Sequence, residues 1–392
     1  MTYQEDFTLP KEILEQIAEQ GLDIIPELLR IMMNAAMEIE RQKYMGVGPY
    51  ERSKERRACA NGYKPKTVKT RVGKVTFDIP QVREGGFYPD ALEKGQRSER
   101  ALILTLAEMY IQGVSTRKVS TIVEKLCGMQ ISASQVSRAV ARLDETLDDW
   151  RQRPLGIFPY VYLDARYEKV RQDGQIRDAA ILIASGVDVQ GKRQVLGVSV
   201  SLSEQEVHWR DFLESLIARG LSAVELIISD AHSGLRAARK AVFGSIPWQR
   251  CQFHLQQNAS QYVPRQAMKK EVAADIRAIF NAPDQEQAEM LLTRTVKKYE
   301  QSAPRLADWM EANLSEGLTV LSFPVSHRRF IRTTNLLERV SQEIKRRTKV
   351  VRIFPNQASC LRLVSALLME YDETWQTGRK YLTFEKTGSP SQ

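Results

Sequence analysis

Two apolar runs that each stop at an aspartate place the strongest constraint on how this chain folds. The run YVYL ends at Asp164, and the run LIIS ends at Asp230. Short apolar runs of this kind are typical of buried strands, and a residue that follows such a strand lies at an end of the sheet. Either aspartate alone is commonly a turn former or a helix N-cap, so the rest of the pattern must decide its role.

The segments around these runs predict an α/β fold. Three strands follow one another across short turns, and helices and strands then alternate. The predicted elements are strand PYVYLDARYEKV, strand RDAAILIASGVDV, strand RQVLGVSVSLS, helix EVHWRDFLESLIARG, strand VELIISD, helix HSGLRAARKAVFG and a short fifth strand WQRCQFH. This order predicts a mixed sheet with helices on both faces, and it is the element order of the ribonuclease-H-like fold.

The first and fourth strands are neighbours in sheets of that order. We therefore expect Asp164 and Asp230 to lie about one strand spacing, ~5 Å, apart. Two carboxylates that close raise each other's pKa unless cations neutralise them. A pair of Mg²⁺ ions, for which Mn²⁺ can substitute, would bind both and stabilise the entering and leaving oxygens of a phosphodiester displacement.

A third acid must come from elsewhere in the chain, and Glu338 is the best candidate. It lies about one turn inside a predicted helix and shares a face with Asn335. Its competitor is Glu343, five residues on and so about 140° around the helix. Glu343 lies beside Arg339 and Arg347 and is expected to pair with them instead.

Cys251 and His254 stand three residues apart, in the predicted fifth strand. A structural zinc site needs four ligands, and the sequence offers two here. We therefore expect both side chains to support the sheet or the neighbouring site rather than to bind a metal directly. The four cysteines are widely spaced, which predicts free thiols.

Positive charge is concentrated in two segments. Residues 51–74 and 328–352 each contain nine Lys or Arg and two Glu, a net charge of +7 apiece, whereas the whole chain carries +9. Each segment by itself is compatible with a solvated basic surface. Two such segments, one of them containing Glu338, favour a nucleic-acid partner whose phosphates they neutralise.

The first part of the chain predicts a separate, helical DNA-binding region. Ser115 and Ser132 are expected N-caps, and Gly113 and Gly128 are expected helix ends. The resulting pair of helices resembles a helix-turn-helix, although a plain helical bundle fits equally well. A basic β-hairpin over 63–80 precedes it, and an earlier apolar stripe at helical spacing suits either dimerisation or packing within the chain.

These patterns divide the chain into six regions. We expect a helical N-terminal region at 1–50, a basic β-hairpin region at 51–98, a helix-turn-helix-like domain at 99–150, the first part of the catalytic domain at 157–254, a helical insertion at 255–322, and the last part of that domain with C-terminal helices at 323–392. RQRPLG at 151–156 is the expected linker.

The motifs together resemble those of bacterial insertion-sequence transposases of the mutator type, and the resemblance covers nearly the whole chain. It is carried by NGYKPKTVKTRVGKVTFDIPQVREGGFYP, MYIQGVSTRKVSTIVEKL, VYLDARYEKVR, LIISDAHSGLRAARKAVFGSIPWQRCQFHLQQN and FPVSHRRFIRTTNLLERVSQEIKRRTKVVRIFPN. One departure is Ser341, where related sequences often have Asn.

The resemblance implies a DDE transposase with a ribonuclease-H-like catalytic domain. Asp164, Asp230 and Glu338 would hold Mg²⁺, and the enzyme would cut double-stranded DNA at the terminal inverted repeats and join the freed 3′-OH to target DNA. A homodimer or larger synaptic complex is implied, because two ends are processed together. The residues expected to contact DNA are Arg332, Arg339, Lys345, Arg346, Arg347, Gln135, Arg138, Lys66, Lys69 and Arg71. Asn335 is expected to support Glu338, and Arg332, Lys345, Arg346 and Arg347 would either contact phosphates or orient Glu338 as well.

Two other functions compete with this interpretation. One is a domesticated DNA-binding regulator whose ribonuclease-H-like domain is inactive, and the other is a nuclease that cuts without joining. Unused carboxylates beside a DNA channel would repel phosphate, which argues against the regulator. The sequence has no apolar stretch of membrane-spanning length and no signal-peptide pattern at its start, so we expect a cytoplasmic, nucleoid-associated protein.

Overall fold

The computed structural model describes residues 11–48, 51, 53, 56–83, 86–92, 94 and 98–384. The chain forms two compact units, Met1–Arg142 and Leu143–Gln392. Within the first unit, helices α1 (Lys11–Gln20) and α2 (Ile25–Met45) precede a hairpin of strands β1 (Ala60–Thr70) and β2 (Gly73–Val82). Pro26 lies in the first turn of α2, where its missing N–H costs no helix hydrogen bond.

Helix α2 packs one face against this hairpin. Met37 is fully buried there, in a cluster with Val68, Val75, Phe77 and Ile79 of the two strands. The side chains of Leu29 and Met33 pack against the same cluster, so part of the apolar stripe is buried within the chain. The large apolar or aromatic residues of α2 that remain exposed are Ile25, Met32, Ile39 and Tyr44. Dimerisation through this helix stays a prediction.

Three further helices complete the first unit: α3 (Arg100–Ile111), α4 (Thr116–Cys127) and α5 (Ala133–Ala141). Both predicted N-caps are confirmed, because Ser115 accepts from the Lys118 N–H and Ser132 accepts from the Gln135 N–H. Gly128 ends α4 with a left-handed φ of 59°, a conformation that glycine adopts without strain.

Ser132 forms a reciprocal capping box with Gln135, whose side chain accepts the Ser132 N–H at 3.0 Å. We expect Ser132→Ala to destabilise α5 by about 1 kcal/mol, because one helix N–H loses its acceptor. Amide hydrogen exchange in α5 is expected to be roughly fivefold faster. Ser137→Ala, on the exposed side of the same helix, is the matched control, and equal exchange rates in both variants would contradict this prediction.

The second unit begins with α6 (Asp144–Gln152), which the sequence had assigned to the preceding domain. The predicted linker is also packed: Arg153 donates to Asp372 at 2.8 Å and to the Val195 carbonyl at 2.5 Å. Trp150 of α6 donates to the same carboxylate at 3.2 Å. Helix α6 and the residues after it are therefore bound to the second unit, which begins at Leu143.

A five-stranded mixed sheet forms the centre of the second unit. Its strands are β3 (Tyr160–Gln172), β4 (Gln175–Val187), β5 (Arg193–Ser201), β6 (Leu226–Ser229) and β7 (Trp248–Arg250), in the spatial order β5-β4-β3-β6-β7. The first three strands are antiparallel, and β6 and β7 run parallel to β3. The predicted meander and the predicted pairing of the first and fourth strands are confirmed.

Helices cover both faces of this sheet, as predicted. On one face, Val161 and Leu163 of β3 belong to a buried cluster with residues of α7 (Glu206–Ala218) and α8 (Ser233–Val242). On the other face, Tyr160 hydrogen-bonds His327 and Tyr162 donates to the Phe330 carbonyl, both in α13 (Val325–Ile331). Helices α14 (Asn335–Val351) and α15 (Gln357–Thr377) follow α13 in the chain.

Residues 252–322 contain helices and turns and no strand. Their α-helices are α9 (Gln252–Ala259), α10 (Lys269–Phe280), α11 (Gln285–Tyr299) and α12 (Pro304–Asn313). The predicted fifth strand WQRCQFH was too long, because β7 ends at Arg250 and Cys251 is the N-cap of α9. Strand β7 pairs with β6, which is four residues long, so little more pairing is available to it.

Candidate active site

Adjacent parallel strands bring Asp164 and Asp230 side by side, where β6 ends after Ser229 while β3 continues past Asp164 to Gln172. Tyr162 of β3 is in register with Ile228 of β6, and each aspartate follows two residues later in its own chain segment. Neighbouring strands lie ~4.8 Å apart, so the two backbones are close at this point. Both aspartates are partly buried.

Asp164 is in an environment that opposes its negative charge. Burial, with a smaller contribution from the nearby carboxylate of Glu338, raises the pKa of its carboxyl to about 6. His254 and the hydroxyl of Ser341, which donates to Oδ2 at 3.4 Å, act in the opposite direction. A carboxylate in this position would be stabilised by an added positive charge.

Asp230 is held by the turn that follows β6. Its Oδ1 accepts the Ala231 N–H at 2.7 Å, and its carbonyl accepts the hydroxyl of Ser229 at 2.8 Å. The Ser229 hydroxyl in turn accepts from the Trp248 indole N–H at 2.9 Å. These contacts fix the turn at the end of the sheet.

Glu338 reaches the same region from the first turn of α14. Its Oε1 lies 3.9 Å from His254 Nε2 and is buried without a hydrogen-bond partner among the residues that the structure describes. Burial raises the pKa of Glu338, whereas His254 lowers it. The carboxylate therefore has an unsatisfied oxygen that faces an imidazole.

Glu343, the competing acid, points to a different set of partners. It accepts from Arg346 at 2.6 Å and from Arg347 at 2.7 Å, and hydrogen bonding to Arg346 and then Arg347 lowers its pKa to about 2. The expected ion pair of Glu343 with Arg347 is present. Its second partner is Arg346 and not the expected Arg339. The preference for Glu338 as the third acid is consistent with these contacts.

Cys251 and His254 lie between the sheet and α14. The thiol of Cys251 is fully buried, and its sulfur accepts the N–H and the hydroxyl of Thr334, each at 3.4 Å. Burial raises the pKa of this thiol, but His254 and Thr334 outweigh it and the net pKa is lowered. The Cys251 sulfur raises the pKa of His254 to about 9, with smaller contributions from Asp230 and Asp164.

The residues around Glu338 fit a bound cation. In the described part of the chain, one group of three metal-binding side chains has its ligand atoms within 4.8 Å of one another: Cys251, His254 and Glu338. The sulfur already accepts two hydrogen bonds, so the carboxylates are the more available ligands. The buried oxygen of Glu338 and the raised pKa of Asp164 are both relieved by a cation, and carboxylate oxygens suit Mg²⁺.

Arg166 and its neighbours join β3 to α14. Arg166 donates to the Ser341 carbonyl and pairs with Glu168, and the same carboxylate accepts the Thr348 hydroxyl at 2.7 Å. These contacts hold α14 against the strand that carries Asp164. The sequence identified the acids but gave no signal for this connection.

The basic residues predicted to contact DNA near α14 fall into two groups. Arg332 donates to Gln252 Oε1 at 2.6 Å and to Asn281 Oδ1 at 3.0 Å, and Arg347 is only 8% exposed. The guanidinium groups of both residues therefore hydrogen-bond within the protein, Arg332 to Gln252 and Asn281 and Arg347 to Glu343. The exposed members are Arg339, Lys345 and Arg346, and Asn335 is exposed at the start of the helix.

The predicted DNA-contacting residues of the first unit also differ in their surroundings. Lys69 donates to Gln135 Oε1 at 3.4 Å, Lys66 donates to the Tyr88 hydroxyl at 2.6 Å, and Arg71 pairs with Glu99 at 2.6 Å. Arg138 is exposed. Lys69, Gln135, Arg138 and Arg142 all line one cleft of this unit.

Similarity to known proteins covers almost the whole chain. The model of the mutator family of transposases matches residues 1–378. The chain is 58% identical to the transposase for insertion sequence element IS406 of Burkholderia multivorans, over 94% of this chain and 95% of that protein. It is 43% identical to the transposase for ISRM5 of Rhizobium meliloti, over 93% and 91% of the two chains.

A third relative, the transposase for IS256 in transposon Tn4001 of Staphylococcus aureus, is 37% identical over 98% of this chain and 100% of its own length. The protein therefore belongs to the mutator family of transposases. A chain of a simian T-cell lymphotropic virus intasome aligns at 12% identity over 58% of this chain and 74% of its own, but its TM-score of 0.19 supports no statement about the fold. Within the described ranges, every helix is too short or too polar to span a bilayer.

Proposed function

We propose that the protein is a DNA transposase that cuts the terminal inverted repeats of an insertion sequence and transfers the freed strand to target DNA. The second unit would be a ribonuclease-H-like catalytic domain with the acids Asp164, Asp230 and Glu338. One observation carries this proposal: β3 and β6 are adjacent and parallel, with Asp164 of β3 beside the end of β6, and α14 brings Glu338 to 3.9 Å from His254.

The three carboxylates would hold two Mg²⁺ ions. The bound ions would supply charge stabilisation to the entering and leaving oxygens of the phosphodiester. Asp164 would contribute a ligand from β3, Asp230 one from the turn that follows β6, and Glu338 one from α14. His254 favours the ionised form of both Glu338 and Asp164, because its positive charge lowers their pKa values.

DNA binding is assigned to the exposed basic residues of both units. In the first unit, Arg138 extends from the second helix of the helix-turn-helix-like pair and lines the same cleft as Lys69 and Arg142. In the second unit, Lys345 and Arg346 are exposed on the helix that carries Glu338. Two ends must be processed together, so the active form would be a homodimer or a larger synaptic complex.

We expect Arg138→Ala to weaken binding of inverted-repeat DNA and to reduce the slope of log K against log salt by about one, because one phosphate contact is lost. A fluorescence-anisotropy titration at several salt concentrations measures this slope. Lys125→Ala serves as the control, because it removes a basic side chain from the last turn of α4. An unchanged slope for Arg138→Ala would remove this residue from the DNA surface.

The function is tested by incubating the purified protein with labelled inverted-repeat DNA and Mg²⁺. Nicked and strand-transfer products that require the cognate ends are expected. Binding without any product would favour the DNA-binding regulator, and nicking without joining would favour a simple nuclease. Either outcome would contradict the proposed transposase activity.

A further inference from the structure

We propose that Cys251 is a positioning residue that fixes Glu338 relative to Asp230 through hydrogen bonds to Thr334. The inference rests on the proposed function, because it assigns Cys251 a role in arranging the carboxylates of that site. Cys251 and Thr334 are both fully buried and are 83 residues apart in sequence. Their contact connects the sheet to the start of α14.

The backbone of Cys251 is bound to the segment that carries Asp230. Its N–H donates to the carbonyl of Ser229 at 2.8 Å, and Ser229 directly precedes Asp230. Ser229 is itself held by the indole of Trp248, on the neighbouring strand. The position of Cys251 is therefore determined by the same end of the sheet that places Asp230.

The side chain of Cys251 is bound to the helix that carries Glu338. Its sulfur accepts both the N–H and the hydroxyl of Thr334, which is the N-cap of α14. The carbonyl of Thr334 then accepts the N–H of Glu338 at 3.1 Å and that of Leu337 at 2.8 Å. One side chain thus connects Asp230 and Glu338 through a short series of hydrogen bonds.

The way in which Thr334 is used supports this role. A threonine at an N-cap usually accepts an N–H of the first helical turn with its side-chain oxygen. Thr334 makes no such bond, and its hydroxyl donates to the Cys251 sulfur instead. The first turn of α14 therefore lacks a side-chain cap from Thr334, and the Thr334 hydroxyl contacts Cys251 beside the sheet instead.

A second connection runs beside the first one. The N–H of Gln252 donates to the carbonyl of Arg332 at 3.0 Å, and Arg332 Nε donates to the Gln252 side chain at 2.6 Å. This parallel contact keeps the two segments together when the Cys251 side chain is shortened. Loss of the thiol is then expected to displace Glu338 without separating the segments.

The test is Mn²⁺ binding by the purified full-length protein, measured by electron paramagnetic resonance without DNA. We expect Cys251→Ala to bind Mn²⁺ about tenfold more weakly, because lost support of a ligand typically costs 10- to 100-fold in metal affinity. The Mg²⁺ concentration for half-maximal DNA cleavage is expected to rise by a similar factor, with unchanged affinity for DNA. Thr334→Ser, which keeps both donors, is expected to retain the wild-type Mn²⁺ affinity.

Cys360→Ser is the matched control, because Cys360 is equally buried but lies in α15. Wild-type Mn²⁺ affinity in a folded Cys251→Ala would overturn the inference. If Cys251→Ala fails to fold, Thr334→Val is the deciding variant, because it removes the hydroxyl donor and keeps the N–H donor. Wild-type Mn²⁺ affinity in Thr334→Val would overturn the inference, and weaker Mn²⁺ binding would support it. A wild-type protein that binds Mn²⁺ but cuts no DNA would overturn the proposed function alone, whereas one that binds no Mn²⁺ overturns both.

Discussion

Asp164→Asn, Asp230→Asn and Glu338→Gln are each expected to reduce strand cleavage and joining by at least about a thousandfold. Bound cations contribute several kcal/mol to stabilising phosphoryl-transfer transition states, and each 1.36 kcal/mol corresponds to about tenfold in rate. An amide has nearly the same size as the carboxyl it replaces but carries no negative charge. Affinity for inverted-repeat DNA, measured by anisotropy, is expected to stay within a few-fold of the wild type.

Glu343→Gln is the matched control for Glu338→Gln. It makes the same chemical change on the same helix, at a carboxylate whose partners are Arg346 and Arg347. We expect it to retain cleavage within roughly threefold, because a partly exposed ion pair contributes little. Equal losses in the two variants would contradict the assignment of Glu338 as the third acid.

Asp372→Ala is expected to lower the free energy of unfolding of the second unit by about 3–5 kcal/mol. Asp372 is 2% exposed and accepts from the Val195 N–H, Arg153, Trp150 and Gln376 at 2.8 to 3.2 Å. Removing a buried carboxylate leaves the charge of Arg153 and three other donors without their acceptor.

Tryptophan fluorescence measures this loss selectively. All five tryptophans of the chain lie in the second unit, so their emission during urea unfolding reports on that unit alone. Glu373→Ala is the control, because the neighbouring side chain is exposed and its removal is expected to change stability by less than about 0.5 kcal/mol. A similar urea midpoint for the two variants would show that the Asp372 contacts contribute little.

The sheet could be predicted because its signals are local. Apolar runs such as those before Asp164 and Asp230, with turn residues between the strands, are visible within a dozen residues. The preference for Glu338 over Glu343 also came from local information, since i,i+3 and i,i+4 neighbours define the face of a helix. Family resemblance supplied the chemistry, and the arrangement of strands and helices is compatible with it.

Contacts between distant segments could not be predicted in this way. Nothing near Cys251 indicates that its sulfur bonds Thr334, and nothing near Arg332 indicates its hydrogen bonds to Gln252 and Asn281. The contact of α6 with α15 is of the same kind, because Asp372 lies more than two hundred residues from Trp150. Such contacts depend on the completed fold rather than on periodicity.

The hydrogen bonds between Gln252 and Arg332 have a consequence for protein engineering. They join Gln252, the first residue of the helical segment 252–322, to Arg332, which follows α13, so changes in chain length within the segment need not move the carboxylates. Each doubling of a flexible loop costs only about 0.6 kcal/mol. The exposed turn at Pro264 and Arg265, between α9 and α10, is therefore a suitable position for inserting a fluorescent reporter domain.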